Sequence, residues 1–276
     1  MAVDNGVHAP AVSFTQLFMI RTAGEAVNAT TPTGYVGGEP VKAYLLNRHG
    51  IPMVDGFASV IIAKITMTIA QVAYILLGIS LGFWLFLPPR EVYFATLIVL
   101  SVGLFLFGVA LFVTVQRYGL FANLFSLLGK CSVWISFLAA RRQSLLSLDH
   151  TILAFLARSR DAFLLSIAAF FTGWLIEVFE ILLIVHFLGS PIDMLTAFSI
   201  GALSTFIKGA TFFVPGSVGV QEVGNLMLIT TYGHSEVIGM TFALLRRVRE
   251  LAWIAIGIDF LALLGRGTNS AKSTSQ

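Results

Sequence analysis

The chain has 276 residues, of which 57% are hydrophobic and only 11% are charged, and its formal net charge is +3. About a quarter of the residues of a soluble domain are charged, so this composition excludes an ordinary soluble domain. It indicates a helical protein that crosses the membrane several times. The basic residues are scattered, which argues against nucleic-acid binding. A lone cysteine and five widely separated histidines exclude an intrachain disulfide and predict neither a metal site nor a cofactor.

The predicted fold is a single all-α domain over residues 1–276, an integral membrane helical bundle. Segments 12–49 and 193–232 are apolar but broken by proline and glycine, so each is predicted to be a broken or re-entrant helical hairpin. In chain order, the remaining predicted elements are membrane spans at 56–87, 92–115 and 162–188, a cytoplasmic amphipathic segment at 117–160, a charged last span at 237–264 and a disordered tail at 265–276.

The distribution of lysine and arginine predicts the orientation of these elements. The basic segment 117–160 is placed in the cytoplasm because cytoplasmic loops carry an excess of basic residues. If the tail is also cytoplasmic, hairpin 193–232 begins and ends outside the cell, whereas hairpin 12–49 begins and ends inside. The two broken hairpins are therefore predicted to have opposite orientations.

The same pattern of residues occurs in both hairpins. Seven positions separate proline from glutamate in each, Pro32 from Glu39 and Pro215 from Glu222, with glycines between them. Seven positions before each proline is a charged residue, Glu25 in the first hairpin and Lys208 in the second. Thirty-two positions after each proline is a basic residue, Lys64 after the first and Arg247 after the second. All these pairs share one separation along the chain, that of Pro32 from Pro215, which we call the repeat offset. Together with the opposite orientations, the pattern predicts an inverted repeat with broken helices, as in many transporters.

Several charges fall near the centres of predicted spans. Glu177 and Glu180 share one helix face in "FFTGWLIEVFEILLIVHF", and Arg246, Arg247 and Glu250 lie within "FALLRRVRELAWIAIG". Each unpaired charge at the centre of a bilayer costs about 2.5–3.5 kcal/mol. These residues are therefore expected to face each other, a cavity or lipid headgroups, unless the helices bend and the arginines reach the interface. The glutamates could position arginines, accept a proton or bind a polar headgroup.

The predicted site is a polar intramembrane cavity between the broken hairpins, at which a lipid headgroup would be bound. Arginine suits phosphate because its planar guanidinium can contact two oxygens. The candidate residues are Arg21, Glu25, Asn28, Pro32, Gly37, Gly38, Glu39, Lys42, Glu177, Glu180, Lys208, Pro215, Gly216, Gly219, Glu222, Arg246, Arg247 and Glu250.

Two stretches carry a resemblance to a known family, "RTAGEAVNATTPTGYVGGEPVKAYLL" and "FFVPGSVGVQEVGN" followed by "FALLRRVREL". They resemble the transmembrane region of lysylphosphatidylglycerol synthases, and "VGVQE" and "LLRRVREL" resemble its hopanoid-associated bacterial branch. The resemblance implies a flippase-like protein of the bacterial inner membrane that moves or handles a lipid between leaflets without a cofactor. Family members usually have one or two further spans before the first motif, and this chain has no soluble aminoacyl-transferase domain.

Two other functions stay open at this point. One is an integral-membrane transferase acting on a lipid, although no nucleophile and base pair is visible in the sequence. The other is a non-catalytic partner of lipid-biosynthesis enzymes. A membrane lipid is the expected ligand in every case, while the identity of the lipid and the oligomeric state are not predicted.

Overall fold

The computed structural model describes residues 12–31, 37–86, 159–211 and 214–266, with a few isolated positions between 96 and 154. Within these residues all regular structure is helical, which confirms the predicted all-α class. Most of the predicted span 92–115, most of segment 117–160 and nearly all of the tail lie outside the described residues, as does Pro32.

Seven α-helices are described, and a short 3-10 turn, Pro215–Ser217, precedes the sixth. They are α1 (Phe14–Thr30), α2 (Gly38–Arg48), α3 (Met53–Phe86), α4 (Arg160–Phe187), α5 (Met194–Ala210), α6 (Val220–Thr231) and α7 (Glu236–Arg266). Each broken hairpin thus contains two helices, α1 with α2 and α5 with α6. The helices α3, α4 and α7 cover most of the segments 56–87, 162–188 and 237–264.

Local chemistry explains where several helices begin and end. Ser13 caps α1, since its hydroxyl accepts from the Gln16 main-chain N–H at 3.3 Å while the Gln16 side chain accepts from Ser13 N–H at 3.0 Å. Gly50, Gly189 and Gly233 follow α2, α4 and α6 with positive φ angles of 88°, 77° and 88°. Glycine adopts this left-handed conformation without steric cost, which lets the chain turn away from the helix.

The chain forms two compact units. The first contains the described parts of 1–61, 208–223 and 243–276. Its core brings together Ile20 and Ala23 of α1, Leu45 and Leu46 of α2, and Val60 of α3. The helices α1 and α7 approach closely in this unit, because a Cβ on Gly257 would lie 2.6 Å from the carbonyl oxygen of Thr22.

The second unit contains the described parts of 62–207 and 224–242. Its core centres on the buried Tyr74 of α3, whose ring stacks on Trp174 of α4 with centroids 5.6 Å apart. Phe198 of α5 packs on the same tyrosine at 4.9 Å. Gly201 of α5 makes room for this ring, since a side chain there would collide with the Tyr74 hydroxyl.

The helices α3 and α4 are long and apolar enough to cross a membrane, and they expose apolar side chains. In the most apolar 18-residue stretch of each helix, only 22% of α3 and 11% of α4 is buried. Leu165 and Phe187 of α4 are 71% and 82% exposed. Core helices of soluble proteins bury such residues, so this exposure fits contact with lipid.

The helix boundaries follow the internal repeat. Arg48 and Thr231 end α2 and α6, and Met53 and Glu236 begin α3 and α7, so both pairs are separated by the repeat offset. The turns between these helices use the same hydrogen bond, from Ile51 N–H to the Leu46 carbonyl in the first copy. At the equivalent positions of the second copy, His234 N–H donates to the Ile229 carbonyl.

One packing contact also recurs at the repeat offset. A Cβ on Gly56 would lie 3.4 Å from the Ala43 carbonyl oxygen, and one on Gly239 would lie 3.1 Å from that of Leu226. The start of α3 thus meets α2 in the same way that the start of α7 meets α6. These local features support the predicted repeat, while the opposite orientation of its halves stays a prediction.

The contact between α1 and α2 generates a test of the fold. A Cβ on Gly38 would collide with the Gly24 carbonyl oxygen, and backbone cannot move aside as a flexible side chain can. We expect Gly38→Ala to lower the free energy of unfolding by about 1–3 kcal/mol, as overpacking does. Thermal unfolding of the purified protein in detergent measures this loss.

The matched control is Gly173→Ala in the interior of α4, where no described atom would lie within 4 Å of the new Cβ. Alanine favours helix over glycine, so this variant should unfold at the same temperature or higher. Equal behaviour of the two variants would contradict the close α1–α2 contact.

Candidate functional site

Lys42 joins two carboxylates across the first broken hairpin. Its Nζ lies 2.6 Å from Glu25 Oε1 of α1 and 3.1 Å from Glu39 Oε2 of α2. The side chains of Lys42 and Glu39 are only 10% and 11% exposed, whereas Glu25 is 42% exposed. We refer to Glu25, Asn28, Glu39 and Lys42 as the first charged cluster.

Asn28 completes this cluster and fastens the start of α2 to α1. Its Nδ2 donates to Glu25 Oε2 at 3.3 Å and to Glu39 Oε1 at 3.2 Å. Its Oδ1 accepts from the Gly38 main-chain N–H at 2.7 Å, which satisfies a donor at the first residue of α2. The buried amide therefore bonds both carboxylates and the backbone where the helix resumes.

Arg247 of α7 binds the carboxylates at the second broken hairpin, as Lys42 does at the first. Its Nε donates to Glu222 Oε1, and its Nη1 donates to the Gly216 carbonyl and to Glu250 Oε2, both at 3.0 Å. Lys208 Nζ at the end of α5 donates to Glu250 Oε1 at 2.7 Å. We refer to Lys208, Glu222, Arg247 and Glu250 as the second charged cluster.

The backbone of this second break has an unusual conformation. Gly216 and Gly219 have positive φ angles of 60° and 83°, and Ser217 between them has a φ of 49°, which is uncommon for a residue with a Cβ. Glu222 Oε2 accepts from the Gly219 main-chain N–H at 2.7 Å, just before α6 begins. One carboxylate of the motif therefore binds both the turn and the guanidinium.

The two motifs meet at the end of α1. The 3-10 turn packs against α1, and a Cβ on Gly216 would lie 3.5 Å from the Ala29 carbonyl oxygen. Both charged clusters belong to the first unit. The structure therefore brings into one unit the polar residues of two segments that are far apart in sequence.

The charged groups of both clusters form ion pairs with one another. Arg247 and Glu250 are each 15% exposed and Glu222 is 20% exposed, so these groups are largely removed from solvent. Desolvated charges are tolerated when they are paired and hydrogen-bonded. The formal charge is −1 for the first cluster, with two carboxylates and one ammonium, and zero for the second, with two of each sign.

The remaining candidate residues belong to neither cluster as defined above. Gly37 directly precedes α2, Arg21 is exposed on α1, and Arg246 is buried on α7. Glu177 and Glu180 lie on α4 and belong to the second unit, where both are partly buried. Pro215 begins the 3-10 turn, as proline often begins a helical turn. The roles of all these residues stay predictions.

Sequence reasoning missed three residues of the site. Gly24 accommodates the Lys42 stem, because a Cβ there would collide with it. Ser217 is buried and accepts from the Thr211 hydroxyl at 3.2 Å. Gln221 is 8% exposed beside Glu222. Only Gly24 left a signal, a small residue four positions before Asn28 on the same helix face.

Comparison with known proteins defines the class to which this architecture belongs. Two long helices expose apolar side chains, and charged clusters lie at the two breaks between helices. These are features of a helical membrane protein with two broken-helix motifs. The chain belongs to the family of lysylphosphatidylglycerol synthase transmembrane regions, whose model matches residues 9–257. This confirms the family predicted from the two motifs, whereas its hopanoid-associated branch stays a prediction.

One curated relative carries a name that fits this class. The chain is 24% identical over 262 residues to a UPF0104 membrane protein of Methanothermobacter thermautotrophicus (strain Delta H). The alignment covers 90% of this chain and 75% of the relative. No solved structure matches the chain.

The first cluster generates a test of its own. Removing the Asn28 side chain would leave the Gly38 N–H without its acceptor and would take one donor from each carboxylate, which Lys42 would still bind. Leaving such buried groups unsatisfied costs about 1–3 kcal/mol, so Asn28→Ala should lower the thermal unfolding midpoint clearly.

Asn47→Ala is the matched control, because Asn47 is exposed and its amide donates only to the Ile51 carbonyl near the end of α2. Its unfolding midpoint should stay close to that of the unmodified protein. An equal shift for both asparagine variants would show that the amide of Asn28 does not hold the break together.

Proposed function

We propose that this protein moves or handles a membrane lipid between leaflets through a polar slot formed at its two broken-helix motifs. The observation that carries the proposal is the pairing of buried charges beside interrupted backbone, with both motifs in contact at the end of α1. The lipid would be a phospholipid, an aminoacyl-lipid or a hopanoid-type lipid.

The physical reason begins with the membrane. Irregular backbone is tolerated at membrane depth only where it is buried in protein or lines a wet cavity. A turn whose Gly216 carbonyl and Gly219 N–H are bonded to Arg247 and Glu222 would fit a position beside such a cavity. Ionisable residues inside membranes commonly mark the path of a polar substrate. The acyl chains would stay in the bilayer while the headgroup passes through the slot.

Each cluster also has one charged residue that is accessible from outside. Glu25 is 42% exposed and Lys208 is 37% exposed, while their partners Lys42 and Glu250 are only 10% and 15% exposed. A headgroup arriving at the slot would meet an accessible charge first. At the motif that binds the headgroup, the ion pair would then be exchanged for contacts with the lipid.

Location and topology belong to the same proposal. The chain would be a multi-pass protein of the bacterial inner membrane, with the two motifs in opposite orientations as an inverted repeat. Its ligand would be a membrane lipid, and lipid-biosynthesis enzymes are the partners that this role favours. The mean hydropathy of +0.89 and the exposed apolar faces of α3 and α4 support the membrane part of the proposal.

Reconstitution into liposomes tests the transport activity. Vesicles containing the purified protein and a fluorescent phospholipid are treated with a membrane-impermeant quencher, and transfer between leaflets makes more than the outer half of the label accessible. We expect transfer in the unmodified protein and its loss in Arg247→Ala and Glu222→Gln, because the first change removes the guanidinium at the second turn and the second removes the charge with which it pairs.

Arg249→Ala is the control for a general effect of removing an arginine from α7, since this exposed residue lies outside both clusters. It should transfer lipid at the normal rate, and thermal unfolding establishes that every variant is folded. Turnover of a lipid donor without leaflet transfer would replace transport with a transferase reaction. Absence of both activities would leave the role of an assembly partner.

A further inference from the structure

We propose that the two charged clusters have different roles, and that only the second binds the anionic part of a lipid headgroup, at Arg247 Nη2. The first cluster would instead be a closed fastening that keeps the first broken hairpin folded. This inference rests on the proposed lipid-handling function and assigns the group that the headgroup presents, an oxygen of a phosphate.

The free hydrogen-bonding capacity of Arg247 is the first observation. A guanidinium has five N–H donors. Three are used by Glu222, Gly216 and Glu250, and all three come from Nε and Nη1. Among the residues that the structure describes, nothing accepts from Nη2, although this atom is buried. A buried charged donor without a partner is unfavourable, so the site favours an additional acceptor.

The contrast with the first cluster is the second observation. Lys42 donates to both of its carboxylates, and Asn28 bonds both carboxylates and the backbone. Within the described part of the chain, none of its four side chains has a buried atom without a hydrogen-bond partner. The second motif has a further such atom in Gln221 Oε1, the acceptor of a side chain only 8% exposed.

The charges favour the same assignment. The first cluster contains two carboxylates and one ammonium, an excess of negative charge that is unfavourable for an anion, whereas the second contains two groups of each sign. A phosphate oxygen accepting from Nη2 would form a charge-assisted hydrogen bond, which is stronger than a neutral one. Of the two clusters, only the second therefore offers both a donor and a compatible charge.

The repeat shows that this difference is built into the sequence. Glu39 and Glu222 occupy equivalent positions, but the cation of Glu39 lies three residues further along the same helix, while that of Glu222 lies on α7. Asn225 stands where the repeat would place a second Lys42, and it accepts from Ser204 at 2.6 Å instead. The second ion pair joins two helices, so a ligand can compete for its arginine without unfolding α6.

Binding of short-chain lipids to the full chain in nonionic detergent tests the assignment. Isothermal titration calorimetry with dihexanoyl phosphatidic acid should show saturable binding. Arg247→Lys keeps the charge but removes Nη2, and should weaken binding about tenfold or more, because lysine lacks the planar fork. Arg249→Lys, the same change two residues along α7, should bind within about twofold of the unmodified protein.

The equivalent glutamates provide the decisive comparison. Glu222→Gln removes a negative charge beside Arg247 and should tighten binding of phosphatidic acid about threefold or more. Glu39→Gln should instead lower the thermal unfolding midpoint and leave the dissociation constant within about twofold. Equal effects of both substitutions on the dissociation constant, or weaker binding by Glu222→Gln, would overturn the assignment. The Glu222→Gln result decides the question even if Arg247→Lys does not fold.

Inorganic phosphate distinguishes a lipid from a free anion. If phosphate at equal concentration does not displace phosphatidic acid, the site is a lipid headgroup site, and displacement would overturn the lipid part of the proposal. If leaflet transfer fails while Glu222→Gln and Glu39→Gln still differ in their dissociation constants for phosphatidic acid, the proposed transport is contradicted but this assignment is not. Normal transfer with no difference between the glutamate variants would contradict the assignment alone.

Discussion

The contact between the Arg247 guanidinium and the Glu222 carboxylate is the interaction on which the second motif depends. It connects α7 to the first turn of α6, and the same guanidinium holds the Gly216 carbonyl in a turn that no regular helix stabilises. Glu222 also accepts from Gly219 N–H at the end of that turn. The ion pair therefore holds the backbone of the turn in addition to neutralising charge.

The first motif solves the same problem with different chemistry. Where the second motif uses a guanidinium from a distant helix, the first uses the Asn28 amide and the Lys42 ammonium within α1 and α2. Glycines permit this arrangement, because Gly24 and Gly38 let the two helix backbones meet and leave space for the lysine stem. The result is a motif closed by short-range contacts, whereas the second motif is held from outside by α7.

Features set by neighbouring residues could be predicted from the sequence. Proline and glycine mark both breaks, and the repeat offset found in the motifs recurs in the ends of α2 and α6 and the starts of α3 and α7. The pairing of Glu39 with Lys42 also follows from helix geometry, since residues three apart share a face.

Contacts that depend on packing between helices could not be predicted in this way. Nothing in the sequence specifies that Arg247 rather than Arg246 or Arg249 faces Glu222, because the choice depends on the rotation of α7 about its axis. Asn28 was predicted as a site residue, but its bond to the Gly38 backbone requires a close approach of α1 and α2 that no sequence pattern reveals.

If the protein handles lipids as proposed, the divergence of the two motifs has a physical meaning. A repeat gives two similar backbones, but a lipid has one charged end and no internal two-fold symmetry, so two identical polar sites could not both complement it. The equivalent glutamates have kept their positions while their cations differ, Lys42 on the same helix in one motif and Arg247 on another helix in the other. A lysine that donates to two carboxylates has its donors committed, whereas an arginine with a planar fork can bind its carboxylates and still present a further edge. In the proposed slot, the choice between lysine and arginine would therefore decide which motif can exchange partners with a ligand.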